Sequence, residues 1–140
     1  MANAVDFDIA AGQVVTFRAG SITGVRLDRS HATYLDELHH DPDVMAFVGG
    51  VRPPEVSTTW LDLNIDHWRR HDFGQWLLYL DGTPIGRGGL RWIDDCVGEQ
   101  LVEVGYMFER EAWGQGHATE VTAAFITLAE DHYRIDELGA

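Results

Sequence analysis

The chain has 140 residues, 45% of them hydrophobic and five of them Trp, which suits one domain able to bury a real core. Its formal charge of −13, with all ten basic residues Arg and none Lys, excludes a protein that grips nucleic-acid phosphates. The same charge favours a cationic partner such as an amine, or serves solubility alone.

No apolar run approaches ~20 residues, so no membrane-spanning helix is expected. Residues 1–15 lack the basic and apolar regions of a secretion signal. Cys96 is the only cysteine, which rules out an internal disulfide and points to a reducing cytoplasm. Its neighbours Asp94, Asp95 and Glu99 disfavour a thiolate, so it reads as a loop or packing residue.

Residues 1–13 show little periodicity and are expected as a lead-in to a domain over residues 14–140. Residues 14–17 and 22–27 read as two short strands or one interrupted strand, with Gly20 or Gly24 at a turn. Asp28 or Ser30 can cap a helix from about His31 with Leu35 and Leu38 inward. Asp41-Pro42 ends it, and a short helix over 43–48 closes at Gly49-Gly50. His39 and His40 stand near a helix C-terminus, where positive charge is favourable, and need no other role. Pro53-Pro54 opens a longer helix over 55–71 that buries Leu61, Ile65 and Trp68. His67 and His71 are four apart on it, yet no H-E-x-x-H and no Cys partner accompanies them, so no metal is expected.

Residues 75–80 and 84–93 read as strands joined by Asp81-Gly82, a hairpin signal. Gly86, Gly88 and Gly89 mark a bulge or the close approach of another backbone. After a polar connection over 94–100, residues 101–108 read as a buried, apolar-rich strand whose single acid, Glu103, burial would push up. Gly114 and Gly116 then mark a turn, and Ala118, Val121, Phe125 and Leu128 recur at helical spacing, with Ala124, Ile126 and Ala129 widening the apolar face. The first N–H groups of such a helix have no internal partner, so the turn suits an anion, above all a phosphate.

A dinucleotide fingerprint would need Gly where Thr119 stands, and a Walker loop would need Lys; both are missing. No G-x-S-x-G elbow supports a serine hydrolase. Strands, two helices, a three-strand meander and a strand–turn–helix make an α+β arrangement with a mixed sheet.

E-V-G-Y-M-F at 103–108 followed by W-G-Q-G-H-A-T-E at 113–120 resembles the GNAT superfamily of N-acyltransferases, in particular its RimJ/RimL-type branch. D-P-D-V-M-A-F-V-G-G at 41–50, followed by a helix ending W-R-R-H-D-F-G, resembles the same branch. The superfamily's Q/R-x-x-G-x-G/A signature is met except at its first position, Glu111. The resemblance implies a GNAT-like, mainly antiparallel twisted sheet flanked by helices and lacking the usual last helix and two strands. Residues 134–140 only begin the next strand, and the absent segment is the one that supplies the acid for the leaving thiolate. The short sheet would leave an edge that a homodimer could cover.

The resemblance also implies acetyl-CoA as co-substrate, in a wedge opened by the 101–108 strand. Gly114, Gln115, Gly116, His117, Ala118 and Thr119 would hold its pyrophosphate, helped by Arg110. Tyr106, Met107 and Phe108 would lie beside its arm, with a backbone N–H near Tyr106 or Met107 facing the oxyanion. Trp113 would pack on the cofactor or anchor the turn. Glu103 would be the general base, or else would pair with Arg87 or Arg91. Phe47 would line the acceptor wall, or else sit in the core as most aromatics do. The expected activity is transfer of acetyl to a primary amine of a peptide, protein N-terminus or small molecule; the alternative is an inactive or truncated relative that binds CoA or dimerises.

Overall fold

A computed structural model describes residues 5–94, 100–135 and 138–139. Seven strands follow chain order across one sheet: β1 (Asp6–Ala10), β2 (Gln13–Ala19), β3 (Ile22–Arg26), β4 (Gln75–Leu80), β5 (Thr83–Asp94), β6 (Gln100–Phe108) and β7 (Leu138–Gly139). Each pairs antiparallel with the next, except that β7 runs parallel to β6. Between β3 and β4 the chain leaves the sheet for α1 (Ala32–His39), α2 (Pro42–Met45) and α3 (Pro54–His71), and α4 (His117–Thr127) follows β6. This is the expected α+β architecture, a mainly antiparallel sheet flanked by helices. Cys96 and the connection around it lie outside the described residues.

The one strand outside the expected set, β1, has a simple cause. Asp6-Phe7-Asp8-Ile9 alternates polar and apolar, and an Ala11-Gly12 turn with both φ angles positive folds β1 back onto β2, although residues 1–13 read as a lead-in. Asp81 and Gly82, at φ 49° and 79°, make the expected tight hairpin between β4 and β5. A bulge after Leu78 and the glycines of β5 also match expectation. A Cβ on Gly86 would lie 2.2 Å from the Met107 carbonyl oxygen, and one on Gly89 would lie 2.1 Å from that of Gly74.

α4 covers one face of the sheet and α1 with α3 covers the other. On the first face Trp76 stacks on Phe125 at 5.6 Å and meets Phe17 edge-on at 5.2 Å. Its indole N–H donates to the Val14 carbonyl at 2.9 Å, so the largest core side chain leaves no polar atom orphaned. Val121, Ala124, Phe125, Leu128 and Ala129 pack there as expected, whereas Ile126 points to solvent. On the second face Leu27, Leu35, Leu61 and Leu77 form a smaller cluster.

Asp28 caps the turn before α1, accepting from the Ser30 N–H at 2.8 Å, and Asp41 caps α2 from the Asp43 N–H at 2.9 Å. The inward face of α3 is more polar than expected: Ser57, Asn64 and His67 are buried beside Leu61 and Trp68, while Ile65 is only partly so. His67 uses both ring nitrogens on backbone, with Nδ1 2.8 Å from the Phe73 carbonyl and Nε2 accepting from the Trp92 N–H at 2.9 Å. It therefore brackets α3 to β5.

Candidate functional site

β6 is the axis of the site. Period-two alternation puts Glu103, Gly105 and Met107 on the face under α3, where they stand opposite Arg91, Gly89 and Arg87 of β5. Among the described residues β7 pairs only with Val102 and Glu103, so residues 104–108 have no strand along their second edge. The sheet is thus open on that side where the chain approaches the turn into α4.

That turn is built to leave N–H groups unspent. Gly114 and Gly116 adopt φ of 74° and 82°, which favours glycine, and Gly116 is the N-cap of α4 without any side-chain cap. The Glu120 N–H makes the first helical bond, to the Gly116 carbonyl at 3.1 Å, leaving the N–H groups of residues 117–119 without a helical partner. A Cβ on Gly114 or Gly116 would enter open space. The turn itself is fixed by side chains: Trp113 Nε1 donates to the Phe108 carbonyl at 3.0 Å and Gln115 Nε2 to the Glu111 carbonyl at 2.8 Å.

Tyr106, Met107, Phe108, Trp113, Gly114, Gly116, His117, Ala118 and Thr119 line one cleft of about 670 Å³. Gln115 points away from it. His117 Nε2 is buried in this wall without a partner among the described residues. Arg110 is not part of the cleft lining; its guanidinium pairs with Asp43 in the first turn of α2. Phe47, expected on the acceptor wall or in the core, is 95% exposed at the cleft mouth. The core placement fails because α2 ends at Met45, and Gly49 and Gly50, both at positive φ, swing the following loop outward.

Val48, Tyr106 and Met107 are shared with a second, polar chamber of about 230 Å³. Glu103 opens into it, so the acid of β6 is not buried in an apolar strand: its side chain is 34% exposed and Oε1 accepts from Arg91 at 3.2 Å. An ion pair this exposed holds little energy, roughly 0–1 kcal/mol. Arg87, the other expected partner, takes a different path. Its Nε donates to His39 Nε2 at 2.9 Å, and its guanidinium lies 4.0 Å from the Trp60 ring centre.

His39 Nδ1 lies 2.8 Å from Ser57 Oγ, so the ring is neutral, with Nε2 the acceptor because an arginine can only donate. Burial, then the charges of Arg87 and Arg52, push His39 down to about 3. The favourable charge expected for His39 at the end of α1 is therefore absent: the imidazole is fully buried and serves as a strut under Arg87. Sequence reasoning missed Arg52, Arg87, Trp60 and Asn64 as site residues. The usable signal was Arg87, a charge within a glycine-rich apolar strand, the same signal that singled out Glu103.

The family model of the acetyltransferase (GNAT) domain matches residues 24–140. The uncharacterized protein YkkB of Bacillus subtilis is 28% identical over 116 residues, covering 81% of this chain. The chain spans 66% of YkkB's length. An acetyltransferase of Agrobacterium tumefaciens superposes with a TM-score of 0.76 at 19% identity, over 95% of this chain and 74% of that one. The acetyltransferase of Salmonella typhimurium that modifies the N-terminal serine of ribosomal protein L7/L12 superposes with a TM-score of 0.70 at 16% identity, over 86% and 70% of the two chains. The match over 24–140 takes in every strand and helix that shapes the two chambers, and the chain belongs to the GNAT acetyltransferase family.

Proposed function

We propose that the domain over residues 14–140 is an acetyl-CoA-dependent N-acetyltransferase of RimJ/RimL type, acting on a primary amine of a peptide, protein N-terminus or small molecule. One observation carries this reading: an anion-suited cleft and a polar chamber meet at Tyr106 and Met107 on the open edge of β6. A donor and an acceptor entering from opposite sides would meet there. The same reading keeps the chain in a reducing cytoplasm, on its single cysteine.

The residues fit the donor. Gly114 and Gly116 leave the space a Cβ would fill, and the N–H groups of His117, Ala118 and Thr119 supply positive potential without Lys. Gln115 contributes through its backbone alone, since its side chain is tied to Glu111. Tyr106, Met107 and Phe108 give the apolar wall for the arm, and Trp113 anchors the turn by its N–H and lines the cleft, where its ring would pack on the cofactor.

Acetyl-CoA supplies an acetyl thioester and a thiolate leaving group. Glu103 takes the proton of the ammonium, directly or through a water, using the oxygen not engaged by Arg91. The freed nitrogen forms the new C–N bond as the C–S bond breaks, and a β6 backbone N–H near Tyr106 or Met107 faces the developing oxyanion. The second proton of the nitrogen passes through water to the departing thiolate and Glu103 returns the first to solvent, so one proton is released per turnover.

Incubating the chain with acetyl-CoA and a panel of primary amines should release free thiol in step with N-acetylated product. CoA binding with no thiol release from any amine would reduce the reading to a binding protein, and absence of both would remove it.

A further inference from the structure

The polar chamber is positively charged in a strongly acidic protein. Arg52, Arg87 and Arg91 all line it, three of the ten basic residues, and its one acid, Glu103, is taken up by Arg91. Arg87 is 8% exposed, and its partners are a neutral imidazole, the Gln75 amide oxygen at 3.5 Å and the Trp60 ring. Arg52 has a buried Nη1 without a hydrogen-bond partner. Among the described residues neither has a carboxylate.

A guanidinium withdrawn from water needs a counter-charge, and one left without it is costly. Packing on Trp60 needs no charge at position 87, although the fold does use Arg87 as the donor to His39 and Gln75. His39 is moreover spent on aiming Arg87, through the Ser57–His39–Arg87 chain of hydrogen bonds. A support of this kind positions a donor for something that enters from the chamber. Aspartate or glutamate from the chain would have served a structural pair, so the missing acid belongs to the ligand.

Resting on the acetyltransferase reading above, we propose that the acceptor is a small molecule or peptide end bearing a carboxylate as well as its amine, and that Arg52 and Arg87 hold the carboxylate. Guanidinium groups suit a carboxylate's paired oxygens. Asn64 and Gln75 also line the chamber as neutral contacts, and Glu103, the proposed base, opens into it for the amine. At about 230 Å³ the chamber accommodates an amino-acid-sized group rather than a folded partner.

The test supplies acetyl-CoA with α-amino acids and β-alanine, each matched to its own carboxamide, and with phosphoethanolamine as a phosphate arm. In at least one pair the carboxylate form should be acetylated with kcat/KM at least tenfold higher than its amide. Arg52→Gln, at a partly exposed position where the fold should survive, should collapse that ratio mainly through KM. Equal or better turnover of every amide, or discrimination by phosphoethanolamine alone, overturns the carboxylate assignment while leaving the acetyltransferase reading intact. Thermal shift gives a readout without chemistry. If no amine is acetylated but the amino acids raise Tm in the parent chain and not in Arg52→Gln, the chamber assignment stands and the activity falls. If they raise neither, the chamber assignment falls.

Discussion

Glu103 shows how one residue can be located by sequence and misjudged in setting. A lone acid in the apolar run 101–108 stood out, but burial depends on what covers the strand, and α3 presents Asn64 and the Arg87 network there instead of a hydrophobic stripe. The role predicted for it remains testable. Glu103→Gln should lower kcat by ~10²–10⁴, the usual worth of a general base, while CoA affinity stays within about twofold. Unchanged turnover, read by thiol release across pH, would assign Glu103 to its pair with Arg91 alone.

His39 was illegible for a related reason. Its position near a helix end says nothing about a partner 48 residues away. Because the folded ring is held near 3 and the unfolded one titrates near 6.5, the unfolded chain binds the extra proton between those values. Stability is thus lost as pH falls below about 6.5, and the loss levels off near 3. His31, His67 and His71 are also pushed down by burial and add to the slope. His39→Gln can still accept from Arg87 and donate to Ser57 without titrating. Urea unfolding at pH 7 and pH 5 should show a smaller difference in this variant than in the parent; an equal difference would mean that His39 is protonated in the folded chain.

At the level of elements, local chemistry that needs no distant partner was readable. Asp81-Gly82 gave its hairpin, Asp28, one of two candidates, gave its cap, and Gly114-x-Gly116 gave the turn into α4, whereas Asp41, read as a breaker, also caps α2. α2 came out shorter because its expected second turn, including Phe47, has nothing to pack on. The turn can be challenged directly. Gly116→Val places a branched side chain at φ 82° and in the space left for the donor, so CoA affinity should fall at least ~10-fold in a calorimetric titration. Retained affinity would count against the phosphate assignment. Gly24 offers a purely structural contrast. Its Cβ would stand 2.1 Å from the Phe17 ring, so Gly24→Ala should cost about 1–3 kcal/mol in urea denaturation without altering CoA affinity per folded molecule.

For the molecule as a whole, the net charge was visible and its distribution was not. A charge of −13 suggested a cationic partner, yet the two chambers are lined by unspent N–H groups and by three arginines. Apart from Glu103, no described acidic residue lines them; Asp62, Asp66 and Asp43 are instead paired to surface arginines. Long-range and short-range electrostatics therefore oppose each other for an anionic donor. The field of the whole protein repels a polyanion at a distance, and that repulsion is screened as the Debye length falls from ~30 Å at ~0.01 M salt to ~8 Å at ~0.15 M. The contacts at the turn are oriented N–H groups within hydrogen-bond range and are screened far less. The association rate for CoA should consequently rise several-fold over that salt range, while the dissociation rate changes little. A cradle built on Arg or Lys would give the reverse sign, so stopped-flow rates that fall with salt would place the phosphates on side chains and move them away from the Gly114–Gly116 turn.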